Sequence, residues 1–210
     1  MNNILLEAWS YKASQDSLST IVADGCRDLI VKKNRDGSSH FFVSPLVLAT
    51  YEISIKEGTS FQGLRLAPGV SINEQALEKL LYNPADKLSS GLVEDFCVLK
   101  PSVSEALAGL RSDLNSIELV SKNLGVSLRT LQRHIKLETG VAPSVWRSLA
   151  RARRCARLLL KEPCLTSAAL SSGYADQSHM SREMQRWFSC TPSALKSGCL
   201  KEEILSSGFD

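Results

Sequence analysis

The spacing of apolar residues changes character along the chain. Up to Val70 they come in short bursts rich in β-branched and aromatic side chains: Leu29-Ile30-Val31, Phe41-Phe42-Val43, Val47 to Ile55 and Phe61 to Leu66. Turn-forming stretches separate them, at Asn34 to Gly37, Ser44-Pro45 and Lys56 to Thr59, and Pro68-Gly69 ends the last burst. Strand and turn signals in this order predict a small β-barrel or sandwich. The spacing then becomes helical. Asn73 can cap a helix that carries Leu77, Leu80 and Leu81 on one face and stops at Pro84. A second short helix is expected from Ser89 to Val98. A third starts at Pro101, with Val103, Ala106, Leu107 and Leu110 on its apolar side. The polar run Ser112 to Ser116 reads as a domain boundary.

Beyond Ser116 the chain repeats itself. Ile117-x-x-Val120-Ser121-x-x-Leu124-Gly125-Val126 leads to Leu131-x-Arg133-x-Ile135 and Gly140-x-x-Pro143. The same pattern returns as Leu165-x-x-Ala168-Ala169-x-x-Ser172-Gly173-Tyr174, then Met180-x-Arg182-x-Met184 and Ser189-x-x-Pro192. The offset is 48 residues before the turn and 49 after it, so the second turn is one residue longer. Each copy reads as helix, turn, helix. Small residues, Ser121 and Ala169, let the two helices cross closely, and Gly125 and Gly173 follow the last helical position. Ser127 and Asp176 can cap the second helices, which are expected to bury Leu128, Leu131 and Ile135 in one copy and Met180, Met184 and Phe188 in the other. Between the copies, Pro143 to Lys161 predicts one long helix, with Val145 or Trp146, then Leu149, Ala152, Ala156 and Leu159 recurring every three or four residues, and Arg147, Arg151, Arg153, Arg154 and Arg157 filling the remainder.

The expected fold class is therefore α+β: a small N-terminal β-barrel or sandwich with helices, then an all-α domain of two helix-turn-helix units joined by a long helix. The expected division is residues 1–112, 113–200 and a tail at 201–210.

Charge sharpens the reading. The net +3 of the chain conceals 10 Lys/Arg against 12 Asp/Glu in residues 1–100, and 13 against 5 in residues 115–196. A basic helical half with a mildly acidic partner points to a polyanion. The outer faces of the second helices carry suitable donors. One offers Arg129, Thr130, Gln132, Arg133 and Lys136, and the other Gln177, Ser178, His179, Ser181, Arg182 and Arg186. Arg can bond both acceptors of a guanine edge and Gln both groups of an adenine edge, while Ser, Thr and Lys more often hold phosphates. Two such helices on a rigid spacer can enter successive major grooves, which recur about every 34 Å. A solvated helix surface would explain one such face but not two in matched register.

Other chemistries find little footing. The six cysteines include no C-x-x-C pair and read as free thiols used as small apolar residues. No apolar stretch approaches the ~20 residues of a membrane span, and the first residues lack the features of a signal peptide, so a cytoplasmic protein without membrane contact is expected. No catalytic residue, cofactor or metal ligand is expected.

The segments Leu131-Gln132-Arg133, Thr139-Gly140-Val141-Ala142-Pro143-Ser144-Val145-Trp146, Gly173 to Arg182 and Cys190-Thr191-Pro192 resemble the C-terminal domain of the AraC/XylS family of transcription regulators. Ala23 to Ile30 and Gly63 to Gly69 look like the small cupin-like sensor region of one subgroup, in which an acidic Gly-containing turn precedes a strand and a Gly-x-Arg-apolar-x-Pro-Gly strand closes the barrel. The resemblance implies a bacterial regulator, usually an activator, that binds double-stranded DNA and meets RNA polymerase. A small-molecule effector and a homodimer are further expected partners. Cupin enzymes cluster histidines around a metal; here His40 is the region's single histidine, which argues against such a site. Departures gather in the second unit: Met180 and Met184 stand for Phe, Ser189 for Gly, and Ala168 and Ser172 for larger apolar residues. They predict looser packing there. Two alternatives share the sequence features: a protein-binding anti-regulator of the same fold, and an AraC-like targeting domain of a DNA-repair methyl acceptor.

Overall fold

The computed structural model describes residues 4–80, 88–112, 116–162 and 164–210. Leu81, Pro84 and Asp113 to Asn115, which the sequence reading used to end a helix and divide the chain, lie outside them.

Strands β1 (Leu5–Lys12), β6 (Ser60–Leu66), β3 (Arg27–Lys33) and β4 (Ser39–Val43) form one antiparallel sheet in that order. β2 (Ser17–Ile21) and β5 (Tyr51–Ile55) pair separately, and a short ladder joins β7 (Ser71–Ile72) to β8 (Cys97–Val98). Among the described residues the strands do not close into a barrel. β1 and β2 escape the hydrophobic pattern for different reasons. Most β1 side chains are exposed, whereas β2 half-buries Ser17, Ser19 and Thr20 and exposes Leu18, so neither shows the apolar-in, polar-out alternation that marks a half-buried strand. β5 also begins later than expected: Val47 to Thr50 leave the sheet and cross to the helical half, with Val47 buried and its carbonyl accepting from Gly25 N at 3.2 Å.

Gly63 shows how closely the sheet is built. It lies between Trp9 and Ile30 in register, and a Cβ there would sit 2.1 Å from the Trp9 ring. The indole covers this bare backbone and donates from Nε1 to Asp28 at 2.7 Å. Asp28 and Asp24 both pair with Arg65, at 3.3 and 3.1 Å. The acidic turn and the Gly-x-Arg strand singled out in the sequence are thus two halves of one buried ion cluster.

Asn73 caps α1 (Glu74–Leu80), its Oδ1 accepting from Ala76 N. α2 (Ser90–Phe96) stops before Val98 because Cys97 and Val98 form β8. Leu77, Val93 and Cys97 close one core over Leu29, Leu64 and Leu66. α3 (Pro101–Arg111) buries Val103, Ala106, Leu107 and Leu110 as its spacing predicts, but in the other core. It packs on α4 (Ile117–Asn123), α5 (Leu128–Thr139) and α6 (Pro143–Leu159), and Gly109 lets Val120 approach closely. The larger core therefore starts before the expected boundary at 112, and Val22 and Ala23 belong to it too.

After α6 come α7 (Leu165–Ser171), α8 (Gln177–Phe188), α9 (Pro192–Lys196) and α10 (Lys201–Leu205). The segment 201–210, expected to trail as a tail, folds back instead. Phe209 is buried edge-on against Trp146, with ring centroids 4.9 Å apart, and its N–H bonds Asp24 O at 2.8 Å.

Four of the six cysteines are buried. Burial pushes the Cys26 thiol up and takes Cys97 to about 11, so neither presents a thiolate near neutral pH.

Candidate nucleic-acid interface

The two units share their local engineering. Ser127 Oγ accepts from Thr130 N at 3.1 Å and starts α5; Asp176 Oδ1 accepts from His179 N at 2.7 Å and starts α8. Each carboxylate or hydroxyl satisfies one of the donors left open by a helix start. Each helix then buries its fourth and eighth residues, Leu131 and Ile135 or Met180 and Met184. Both end on a left-handed residue, Gly140 at φ 73° and Ser189 at φ 52°. A side chain in that conformation costs about 1 kcal/mol relative to Gly. Ser189→Gly is accordingly expected to stabilise the fold by about 0.5–1 kcal/mol, read as a higher urea midpoint with an unchanged m-value.

With the caps aligned, the outward faces can be compared residue by residue. Arg133 and Arg182 occupy the same position, six residues past their caps, and both are exposed. Arg129, Thr130, Gln132 and Lys136 are also exposed on α5, and Gln177, Ser178 and Arg186 on α8. His179 and Ser181 are half-buried: the His179 ring meets Tyr174 edge-on at 5.1 Å, and the Ser181 hydroxyl donates to Gln177 O. Arg186 stacks over Trp187 at 4.9 Å and lies 3.5 Å from Glu183, which fixes its stem and lets it reach less far. The eleven predicted residues thus fall on two helix faces that the core leaves open. Gln185 was missed. It is exposed at the position matching Lys136 and lines a shallow groove with Gln177, Ser181 and Arg182; the cap alignment carries the signal that would have found it.

The arginines of α6 mostly serve the protein itself. Arg153 is fully buried. It bonds Ala23 O, Ile204 O and Ser206 O at 3.3, 3.4 and 3.0 Å, and pairs with Asp210 at 3.2 Å. Arg157 bonds Ser206 O at 2.9 Å and pairs with Asp210; Arg154 donates to Arg111 O. Arg151 stacks on Tyr174 at 4.5 Å and lies 3.7 Å from Glu183. Burial works to raise the pKa of Glu183, but hydrogen bonds from Ser148 and Trp187 and the charges of Arg151 and Arg186 outweigh it and hold the carboxyl below its usual value. Glu183 therefore stays ionised and anchors α8 to α6. The N-terminal half reaches the same helix, since Thr50 Oγ1 donates to Trp187 O at 2.8 Å.

A 17-residue α6, about 25 Å long at ~1.5 Å per residue, separates two short helix pairs that each present one donor-bearing face. This geometry defines a double helix-turn-helix domain. A family model described as a helix-turn-helix domain matches residues 120–198. The four segments that resemble the AraC/XylS family all lie within this stretch. Among curated proteins it is 33% identical over 97 residues to the HTH-type transcriptional regulator RipA of Corynebacterium glutamicum, covering 46% of this chain and 29% of that protein. It is 32% identical over 82 residues to the HTH-type transcriptional activator RhaS of Escherichia coli, covering 39% of this chain and 30% of that one. The matched stretch thus spans under a third of either relative. Over nearly the whole chain the fold resembles that of ToxT from Vibrio cholerae, with a TM-score of 0.50 at 11% identity, covering 91% of this chain and 96% of that one. That likeness extends the match in architecture to the sheet-rich N-terminal half. No helix among the described residues is long and apolar enough to cross a membrane.

Proposed function

We propose that the chain is a sequence-specific transcription regulator, an activator, whose helices α5 and α8 read two successive major grooves of one duplex. The observation that carries this reading is the pair of arginines, Arg133 and Arg182, placed identically on two exposed, identically capped helices. In this reading each reads a guanine, Gln132 and Gln177 read adenine edges, and Arg129, Thr130, Lys136, Ser178, His179, Ser181 and Arg186 hold phosphates or neighbouring bases. RNA polymerase is the partner that an activator requires. A small effector or a second copy of the chain would act through the N-terminal half, which is bonded directly to α8 and α6.

Selection of binding sites from random duplex DNA tests the reading. The expected outcome is a two-part motif with its halves about 10–10.5 base pairs apart. Recovery of no preferred sequence would fit an anti-regulator and overturn the proposal. Affinity for the selected site should also fall steeply with salt, with a log–log slope of about −0.9 per phosphate contact; a flat salt response would remove the basic face from the interface.

A further inference from the structure

A cavity of about 240 Å³ lies where the N-terminal sheet meets the first helix-turn-helix unit. Its walls come from both halves of the chain: Arg27 at the start of β3, Leu46 just before the crossing segment, Ile72 in β7, Glu138 and Thr139 at the end of α5, and Trp146 in α6. At ~30 Å³ per water it holds the volume of about eight waters, which suits a molecule of about eight or nine non-hydrogen atoms. Clefts between domains are common ligand sites.

The lining states the chemistry. Among the described residues, Arg27 and Glu138 are the two charged side chains on the wall. Arg27 is held in place by Nε to Ser44 O at 3.0 Å and one Nη to Glu74 at 2.7 Å. Its other Nη group has no protein partner among the described residues and can receive an anion. Glu138 accepts from Lys100 through one oxygen, at 2.8 Å, and the other is open to a cation. A plain anion would leave the second Glu138 oxygen without a partner, and a plain amine the second Arg27 Nη group, so a molecule carrying both charges serves both. Leu46, Ile72 and Trp146 add apolar wall.

We propose that this cavity binds a small zwitterion of the α-amino-acid class with a short apolar side chain, its carboxylate on Arg27 and its ammonium on Glu138. Glu138 and Thr139 are the last residues of α5, so a ligand held there sets the seating of the first DNA-reading helix. By linkage, DNA then alters ligand affinity by the same factor. The effector role rests on the DNA-reading function proposed above; the binding site itself does not.

The test uses the full chain, L-leucine as probe, and two truncated controls: 4-methylpentanoate, which lacks the amine, and isoamylamine, which lacks the carboxylate. Calorimetry and thermal melting should show leucine binding and raising Tm, with each control weaker by about tenfold or more. Glu138→Gln should weaken leucine by a similar factor while changing the ligand-free Tm little, since Lys100 is largely exposed and the amide oxygen can still accept from it. Arg27→Gln should do the same; if loss of its bonds to Ser44 and Glu74 unfolds it, Glu138→Gln decides. Saturating leucine should also change affinity for the selected DNA site severalfold. Absence of leucine binding up to about 10 mM, controls that match leucine, or DNA affinity unmoved at saturation would each overturn the proposal. Binding of the selected site by the ligand-free chain is measured alongside: if that succeeds while leucine fails, only the cavity assignment falls, and if that fails, so does the DNA-reading function.

Discussion

The double variant Arg133→Ala/Arg182→Ala is expected to lose about 2–6 kcal/mol of binding to the selected DNA site while its binding to random duplex changes far less. Each guanidinium can bond both acceptors of one guanine, and a good bidentate pair discriminates by about 1–3 kcal/mol. The two arginines sit on separate helices of separate units, so their losses should add. Both are exposed on faces away from the core, so truncation should leave the urea midpoint unchanged. Lys136→Ala serves as the contrast: a phosphate contact should weaken all sequences alike and reduce the salt slope by about one. Fluorescence anisotropy against specific and random duplexes separates these outcomes. Equal discrimination by the double variant and the parent would remove both arginines from base reading.

Arg153→Met is the substitution expected to harm the fold most, by about 3–5 kcal/mol. The Arg153 side chain has no solvent exposure, and its guanidinium holds three backbone carbonyls besides Asp210. Removing it takes the donor from the Ala23 and Ile204 carbonyls, each at about 1–3 kcal/mol, while Ser206 O keeps its bond from Arg157. Arg157 still faces Asp210, which limits the electrostatic part of the loss. Gly208 packs against the guanidinium, so the shorter methionine also leaves a gap there. Because the carbonyls belong to Ala23, Ile204 and Ser206, the variant should loosen the N-terminal half and the segment 201–210 together. Urea unfolding gives the energy, and amide exchange should show Ala23–Cys26 and Ile204–Asp210 losing protection first. An unchanged midpoint would mean that this cluster is dispensable.

The helical half was the more legible one, and for a physical reason. A repeat doubles every signal: the caps Ser127 and Asp176, the turns at Gly125 and Gly173 and the buried pairs Leu131/Ile135 and Met180/Met184 each check one another. In the sheets, β1 carries mostly exposed side chains and β2 half-buries Ser17, Ser19 and Thr20 while exposing Leu18, so no apolar alternation announces either. The fate of the linker arginines was hidden because a long basic helix reads alike whether its charges face solvent or protein. One clue was available: Arg153 falls on the stripe of Trp146, Leu149 and Ala156, where every other member is buried. The shared core could not be read at all. Contacts such as Thr50 to Trp187, or Phe209 to Trp146, join distant segments through single side chains, and spacing along the chain says nothing of them.

The spacing of the two half-sites tests the account most directly. Inserting about five base pairs between them rotates one half to the opposite side of the duplex. If α6 and the shared core hold α5 and α8 rigidly, affinity for this template should drop to that of a single half-site, and protection in a hydroxyl-radical footprint should shrink to one groove. Undiminished affinity, with both halves still protected, would contradict a rigid pair of reading helices.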